Sequence, residues 1–154
     1  MAVLNLNVNG THHQVIVAAT TTLLEVLRDK LLITSPKMGC NTGDCGTCSV
    51  LLNGELIRSC ITPAMVADGK TVTTVEGIAP PGELDPLQEA FHEHHGAQCG
   101  FCTPGMIMAA KALLTENPEP TEQEIREGLS GNLCRCTGYK KIVESVQAAA
   151  TKKN

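Results

Sequence analysis

The sequence predicts an α+β domain followed by an all-α domain. In the first half, apolar and polar residues alternate over residues 3–8, and Asn9-Gly10 then gives a hairpin signal. In the second half, apolar residues recur with helical spacing. Residues 78–86 lie between these patterns and contain the pair Pro80-Pro81. Adjacent prolines without apolar periodicity indicate a linker, so we expect domains at 1–77 and 78–154.

The elements of the first domain follow in order from turn and capping signals. Residues 14–17 form the predicted return strand of the first hairpin. Residues 21–31 predict a helix, because Thr22 and Glu25 have capping-box spacing before an apolar face. That face consists of Leu23, Val26, Leu27 and Leu31. A second hairpin is predicted at Asn53-Gly54 and a last strand at 70–77, which gives a mixed sheet packed on one helix.

Four helices are predicted in the second domain, at 86–95, 104–115, 122–129 and 139–150. Pro118 and Pro120 separate the second of these from the third. Thr103 is the predicted N-cap of the second, with a proline at its first position. Thr137 is the predicted N-cap of the fourth.

Composition limits the possible functions of the chain. Its 154 residues are 42% hydrophobic but only 2% aromatic, so large aromatic side chains contribute little to the core. Small domains of this kind usually need metals or disulfides for stability, and the eight cysteines can supply them. A net charge of −4 argues against nucleic acid as a partner. We expect no membrane span, because no apolar run approaches about 20 residues. The start lacks the features of a secretory signal, which predicts a cytoplasmic chain, or a periplasmic one only if a signal-bearing partner exports it.

Four cysteines in the first half have the spacing of an iron–sulfur site. Cys40, Cys45 and Cys48 form C-x4-C-x2-C, and Cys60 follows. This is the plant-type ferredoxin arrangement for a 2Fe–2S cluster. Gly39, Gly43 and Gly46 in the loop permit positive φ and let backbone N–H groups approach sulfur. In a reducing compartment, such clustering indicates metal chemistry more often than disulfides.

The second half carries two further cysteine pairs. Cys99 and Cys102 precede one predicted helix, and Cys134 and Cys136 precede another. Helix N-termini favour thiolates, so two such helices that meet would hold four thiolates about one site. A structural zinc site remains an alternative, although its second pair is usually C-x2-C. Disulfides are a third reading, but the cysteines divide evenly into two groups of four.

Taken together, the motifs resemble a known family. "GCNTGDCGTC", the lone Cys60, "QCGFCTPGM" and "LCRCTGY" are similar, in order and spacing, to the small iron–sulfur subunit of the molybdenum hydroxylases. That family includes xanthine dehydrogenase, aldehyde oxidoreductase and carbon monoxide dehydrogenase. The resemblance implies a ferredoxin-like β-grasp domain and a four-helix-bundle domain, each with one 2Fe–2S cluster. All eight cysteines are then cluster ligands.

The resemblance also implies a role as an electron-transfer subunit of an oxidoreductase complex. A large subunit would carry molybdopterin, and a medium subunit would carry FAD unless another acceptor replaces it. The helical-domain cluster would lie nearest molybdenum, where Gln98 would hydrogen-bond the pterin and Cys136 would link pterin to cluster. No substrate chemistry is expected on this chain alone. The alternative is a free-standing, diffusible ferredoxin with two clusters.

Overall fold

The computed structural model describes residues 1–152, in which a five-stranded sheet precedes four longer helices. This confirms the α+β class. The last two residues of the predicted second domain, 153 and 154, lie outside the described residues. No helix within residues 1–152 is long and apolar enough to cross a membrane.

The sheet has the strand order β2-β1-β5-β3-β4. Its strands are β1 (Ala2–Val8), β2 (Thr11–Val17), β3 (Ser49–Leu52), β4 (Glu55–Arg58) and β5 (Thr71–Thr73). β1 runs parallel to β5, and the other pairings are antiparallel, so the sheet is mixed as predicted. The last strand is shorter than predicted, because the chain turns into a 3₁₀ segment at Val75–Gly77.

Both predicted hairpins are present and close with the same turn. Asn9 and Gly10 have φ of 52° and 87°, and Asn53 and Gly54 have φ of 49° and 87°. Two successive positive values define the type I′ turn, which matches the twist of antiparallel strands. The hairpin β3–β4 matters for the site, because Cys48 directly precedes β3 and Cys60 follows β4 by two residues.

The helix of the first half begins as predicted and then widens. Thr22 and Glu25 form the capping box at the start of α1 (Leu23–Glu25). From Val26–Lys30 the chain continues as a π-helical segment. Leu23, Val26 and Leu27 are fully buried in the core of the sheet half, as the apolar face predicts.

The second half contains α2 (Pro86–Glu93), α3 (Thr103–Glu116), α4 (Glu122–Gly128) and α5 (Lys140–Lys152). These helices confirm the four predicted segments to within about two residues at each end. Their apolar faces meet in one core, with Met106, Ile125 and Ile142 at its centre. The sheet half has a separate core, and α3 packs directly against β3 and β4 between the two.

Candidate metal centres

The first cysteine group begins in the loop of residues 39–48, which leads into β3. The Sγ atom of Cys40 accepts hydrogen bonds from the N–H groups of Thr42 at 3.4 Å and Cys45 at 3.3 Å. The Sγ atom of Cys45 accepts one from the N–H of Cys40, also at 3.3 Å. The Thr42 side chain, then the N–H groups of Thr42 and Cys45, lower the pKa of Cys40 to about 6. The loop therefore favours thiolate at this position.

Cys48 and Cys60 form the deep side of the same group. They are 1% and 5% exposed, and both pack against Leu24 of α1. Burial, together with donation to Cys48, raises the pKa of the Cys60 thiol to about 11. The first group thus divides into a shallow pair, Cys40 with Cys45, and a buried pair, Cys48 with Cys60.

Glycine is needed in this loop for two different reasons. Gly43 and Gly46 have φ of 88° and 76°, as predicted. Gly39 does not lie in the left-handed region, so the prediction of positive φ was wrong there. A Cβ at Gly39 would lie 2.7 Å from the Sγ of Cys45 and 2.8 Å from the Oγ1 of Thr47. Gly39 is required because the loop closes tightly around sulfur.

The second cysteine group assembles where α3 and α5 begin. The Sγ of Cys136 donates to the Sγ of Cys99 at 3.5 Å, and both residues are exposed. Cys102 and Cys134 are half-buried, and the Cys102 thiol donates to that of Cys134. The structure therefore brings together the two pairs that lie more than thirty residues apart in sequence.

Local donors bias the charge of each thiol in the second group. Burial raises the pKa of Cys134, but the hydroxyl and N–H of Thr137, at 3.0 Å and 3.4 Å from its Sγ, outweigh burial and lower that pKa overall. The pKa of Cys99 is lowered, chiefly by the N–H of Phe101. Burial raises the pKa of Cys102 to about 12, and donation to Cys134 adds to this.

Neither threonine is the helix cap that the sequence predicts. Cys102 is the N-cap of α3, and Thr103 is its first residue. The α5 helix begins at Lys140, and Thr137 lies in the preceding turn, where its Oγ1 accepts from the N–H of Tyr139 and donates to sulfur. The Thr137 hydroxyl serves the turn before the helix, and Thr103 lies one residue too late to cap, inside the first helical turn.

The donor set fits 2Fe–2S clusters. Two thiolates on one tetrahedral metal with bonds of about 2.3 Å lie about 3.7 Å apart, close to the Cys99–Cys136 spacing. Among residues 1–152, no three histidine, cysteine or carboxylate side chains converge as a ready single-ion site. The thiols meet in pairs instead, as two irons per cluster require. The buried Oγ1 of Thr103, beside Cys102, also lacks a hydrogen-bond partner within the described chain, so a polar group bound there would satisfy it.

The loops that carry the two cysteine groups lie in direct contact. The N–H of Leu133, next to Cys134, donates to the carbonyl of Cys45 at 2.9 Å. Asn132 and Arg58 add further bonds across the same junction, and sequence reasoning missed both. No local signal marks them, since Arg58 and its acceptor at Gly131 are 73 positions apart.

The exposed edge of the second group contains the two residues predicted to approach a pterin. Gln98 is exposed and adjoins Cys99, whose sulfur lies beside that of Cys136. Phe101 and Leu133, in the two loops that carry this group, are 47% and 53% exposed. The edge therefore combines accessible sulfur with apolar side chains.

Two family models match the chain, one for each half. Residues 6–75 match a 2Fe-2S iron-sulfur cluster binding domain, and residues 74–147 match a second 2Fe-2S binding domain. Each match contains one of the two cysteine groups.

Individual relatives match almost the whole chain. The nicotine 6-hydroxylase small subunit of Paenarthrobacter nicotinovorans is 50% identical over 93% of this chain and 86% of its own length. The nicotinate dehydrogenase small FeS subunit of Eubacterium barkeri is 47% identical over 95% and 93%.

Solved structures agree with these relatives. Quinoline 2-oxidoreductase of Pseudomonas putida 86 contains a chain that is 41% identical, with a TM-score of 0.94 over 97% of this chain and 94% of that one. The aldehyde oxidoreductase of Desulfovibrio desulfuricans is 46% identical with a TM-score of 0.95, and the match covers 99% of this chain but 17% of that longer one. With two 2Fe–2S-binding domains in this order, the chain belongs to the small iron–sulfur subunits of the molybdenum hydroxylase family of oxidoreductases.

Proposed function

We propose that this chain carries electrons from a molybdopterin centre on a large partner subunit to FAD on a medium subunit, or to another acceptor. Each 2Fe–2S cluster, when bound, supplies a one-electron redox couple. The observation that carries the proposal is the meeting of eight thiols in two contiguous groups, one of which opens to the surface.

The eight cysteines are the proposed cluster ligands, in pairs that assign one iron each. In the sheet half the pairs are Cys40 with Cys45 and Cys48 with Cys60. In the helical half they are Cys99 with Cys136 and Cys102 with Cys134. Contact between the thiols of each pair supports this pairing.

The exposed edge around Cys99 and Cys136 is the proposed contact with the large subunit. Gln98 presents an amide there, which can hydrogen-bond a pterin, and Cys136 would link pterin to cluster. The exposed Phe101 and Leu133 support burial of this edge by a partner, because clustered apolar side chains on a surface mark interaction sites. In the Desulfovibrio relative, the match covers only 17% of a longer chain. The rest of that chain is covalently joined to the matching part, as a large subunit would be joined to this chain by contact.

The sheet-half cluster is then the proposed donor to the flavin or other acceptor. Its buried side is shielded by the core of the sheet half, whereas Cys40 and Cys45 are partly accessible. The hydrogen bond from Leu133 to the Cys45 carbonyl supports a short route between the two groups. In the proposed electron transfer, the residues of this chain do not move. They hold the two clusters at fixed positions while each cluster gains and loses an electron.

The finer architecture is proposed on the same basis. The mixed sheet with α1 supports a β-grasp domain over residues 1–77. The shared core of α2 to α5 supports a four-helix bundle over residues 78–154. Eight free cysteines support a reducing, cytoplasmic location. A free-standing ferredoxin is disfavoured, because close relatives over the whole chain are named as subunits.

Purification of the native complex through a tag on this chain tests the proposal. Molybdenum and an organic pterin should copurify in a fixed ratio near one per chain, and dithionite should reduce both clusters. Chain that elutes alone with its iron, and without molybdenum, would refute the subunit role and favour the diffusible ferredoxin.

A further inference from the structure

A polar network of three side chains joins the two cysteine groups. Arg58 lies at the end of β4, Ser49 begins β3, and Asn132 precedes Cys134 by two residues. The Arg58 guanidinium donates to the Ser49 hydroxyl and to the Gly131 carbonyl, both at 2.8 Å. We call Ser49, Arg58 and Asn132 the latch.

Asn132 is the central member, because its amide reaches both loops. Its Nδ2 donates to the carbonyl of Gly46 at 3.0 Å and lies 3.3 Å from the Ser49 hydroxyl. Its Oδ1 faces Arg58 at 3.5 Å. Asn132 and Ser49 are each only 2% exposed. A buried amide that loses these partners would cost about 1–3 kcal/mol for each group left unsatisfied, so the contact resists opening.

The backbones at this junction touch so closely that side chains are excluded. A Cβ on Gly46 would lie 2.5 Å from the Gly131 carbonyl oxygen and 2.6 Å from the Asn132 side chain. On the other side, the backbone of Gly105 in α3 lies against the same Gly46 carbonyl. The loop of the first cysteine group is therefore closely packed between α3 and the loop of the second cysteine group.

The latch surrounds the backbone hydrogen bond that connects the groups. Gly46 follows Cys45, whose carbonyl accepts from Leu133, and Asn132 precedes Leu133. The side chains thus fix the residues on either side of that bond. Direct packing of α3 against β3 already joins the two halves, so the latch is not needed merely to keep them together.

We propose that the latch is a positioning device that sets the separation and orientation of the two clusters. The proposal rests on the proposed function, since it requires that both groups hold clusters. The rate of electron transfer between fixed centres falls steeply with distance. A rigid junction would therefore keep that rate high, which is a benefit beyond holding the two halves together. Ser49, Arg58 and Asn132 act on the electron route through the cysteine loops and touch no substrate.

The test uses the complete complex with Asn132→Ala and, separately, Arg58→Gln. Arg58→Gln leaves the two buried donations of Asn132 in place and is the milder change. Asn5→Ala and Gln14→Ala are the controls, because these two residues bond each other on the exposed surface of β1 and β2, away from the cysteine loops. We would measure four quantities in each variant. These are the iron content, the midpoint potential of each cluster, the dipolar splitting in the EPR spectrum of the fully reduced complex, and the rate of electron equilibration after deazaflavin photoreduction.

Both variants should keep their iron and both potentials, with altered dipolar splitting. Equilibration between the clusters should be measurably slower in Asn132→Ala, because the rate of electron transfer falls steeply as the two clusters move apart. Arg58→Gln should show a smaller change in the same direction, and the controls none. Unchanged splitting and rate in both variants, or loss of a cluster in both, would overturn the proposal. If only Asn132→Ala loses iron, Arg58→Gln decides the outcome. Absence of a second cluster from the unmodified complex would instead refute the proposed function, and this proposal with it.

Discussion

The two cysteine groups are built from different elements and face different surroundings. In the sheet half, backbone N–H groups of one tight loop approach the sulfurs, and Cys48 and Cys60 are buried in the core. In the helical half, two helix starts meet, and Cys99 and Cys136 remain exposed. Threonine hydroxyls approach sulfur in both halves, from Thr47 in the first and from Thr137 in the second. One group is insulated on its deep side and the other is open at its edge. That difference matches the proposed function, in which electrons enter the chain at the open edge.

The largest expected effect comes from removing one ligand in each group. Cys136→Ser should abolish the helical-half cluster and leave the sheet-half cluster reducible. Cys48→Ser should do the reverse, because each group is complete without the other. Iron per chain should fall from about four to about two in both variants, with a different EPR signal surviving in each. Loss of both signals from either variant would contradict two independent sites.

A glycine comparison sharpens the contrast between loop and hairpin. Gly46 and Gly54 both have positive φ, but a Cβ at Gly54 would meet no atom within 4 Å. Gly54→Ala should therefore cost only the backbone penalty of about 1–2 kcal/mol. Gly46→Ala should cost about 1–3 kcal/mol more, because the added methyl collides with the backbone of the other loop. Chemical unfolding of the iron-loaded chain measures the loss in free energy of unfolding for both variants. Equal losses would mean that the two loops can move apart at little cost, and would contradict a tight junction.

The smallest effect should come from the hydroxyl at Cys134. Thr137→Val removes the O–H donor to sulfur but keeps the N–H donor and the side-chain shape. A hydrogen bond to a charged group contributes about 1.5–3 kcal/mol, and only part of it differs between redox states, so the helical-half potential should fall by about 20–60 mV. Thr115→Val, whose hydroxyl bonds within α3, is the control. Redox titration followed by EPR measures both potentials. A shift of the sheet-half potential, with the helical-half potential unchanged, would contradict the assignment of this hydroxyl to the helical-half cluster.

Much of this molecule could be predicted from local signals in its sequence. Asn-Gly pairs fixed both hairpins, the Thr22–Glu25 box fixed the start of α1, and helical periodicity gave the four later helices. The spacing of cysteines separated them into two groups because each group is assembled from short, glycine-rich or helix-capping loops. These features depend on neighbours within a few residues, where sequence patterns are informative.

The junction between the groups could not be predicted in this way. Arg58 and Asn132 are polar residues in unremarkable surroundings, and only the packing of α3 against β3 brings them together. Thr103 and Thr137 were misassigned as caps because their sequence context fits a cap equally well. Whether the Thr137 hydroxyl caps a helix or bonds the nearby sulfur depends on its three-dimensional position, which spacing does not encode.

The most direct test of two separate centres is iron and acid-labile sulfide per chain, with EPR of the dithionite-reduced protein. The account predicts about four irons and about four sulfides, with two distinct rhombic signals. About two irons with one signal, and zinc in place of the remainder, would contradict it. The helical group would then be a structural site, and no electron route would cross the junction.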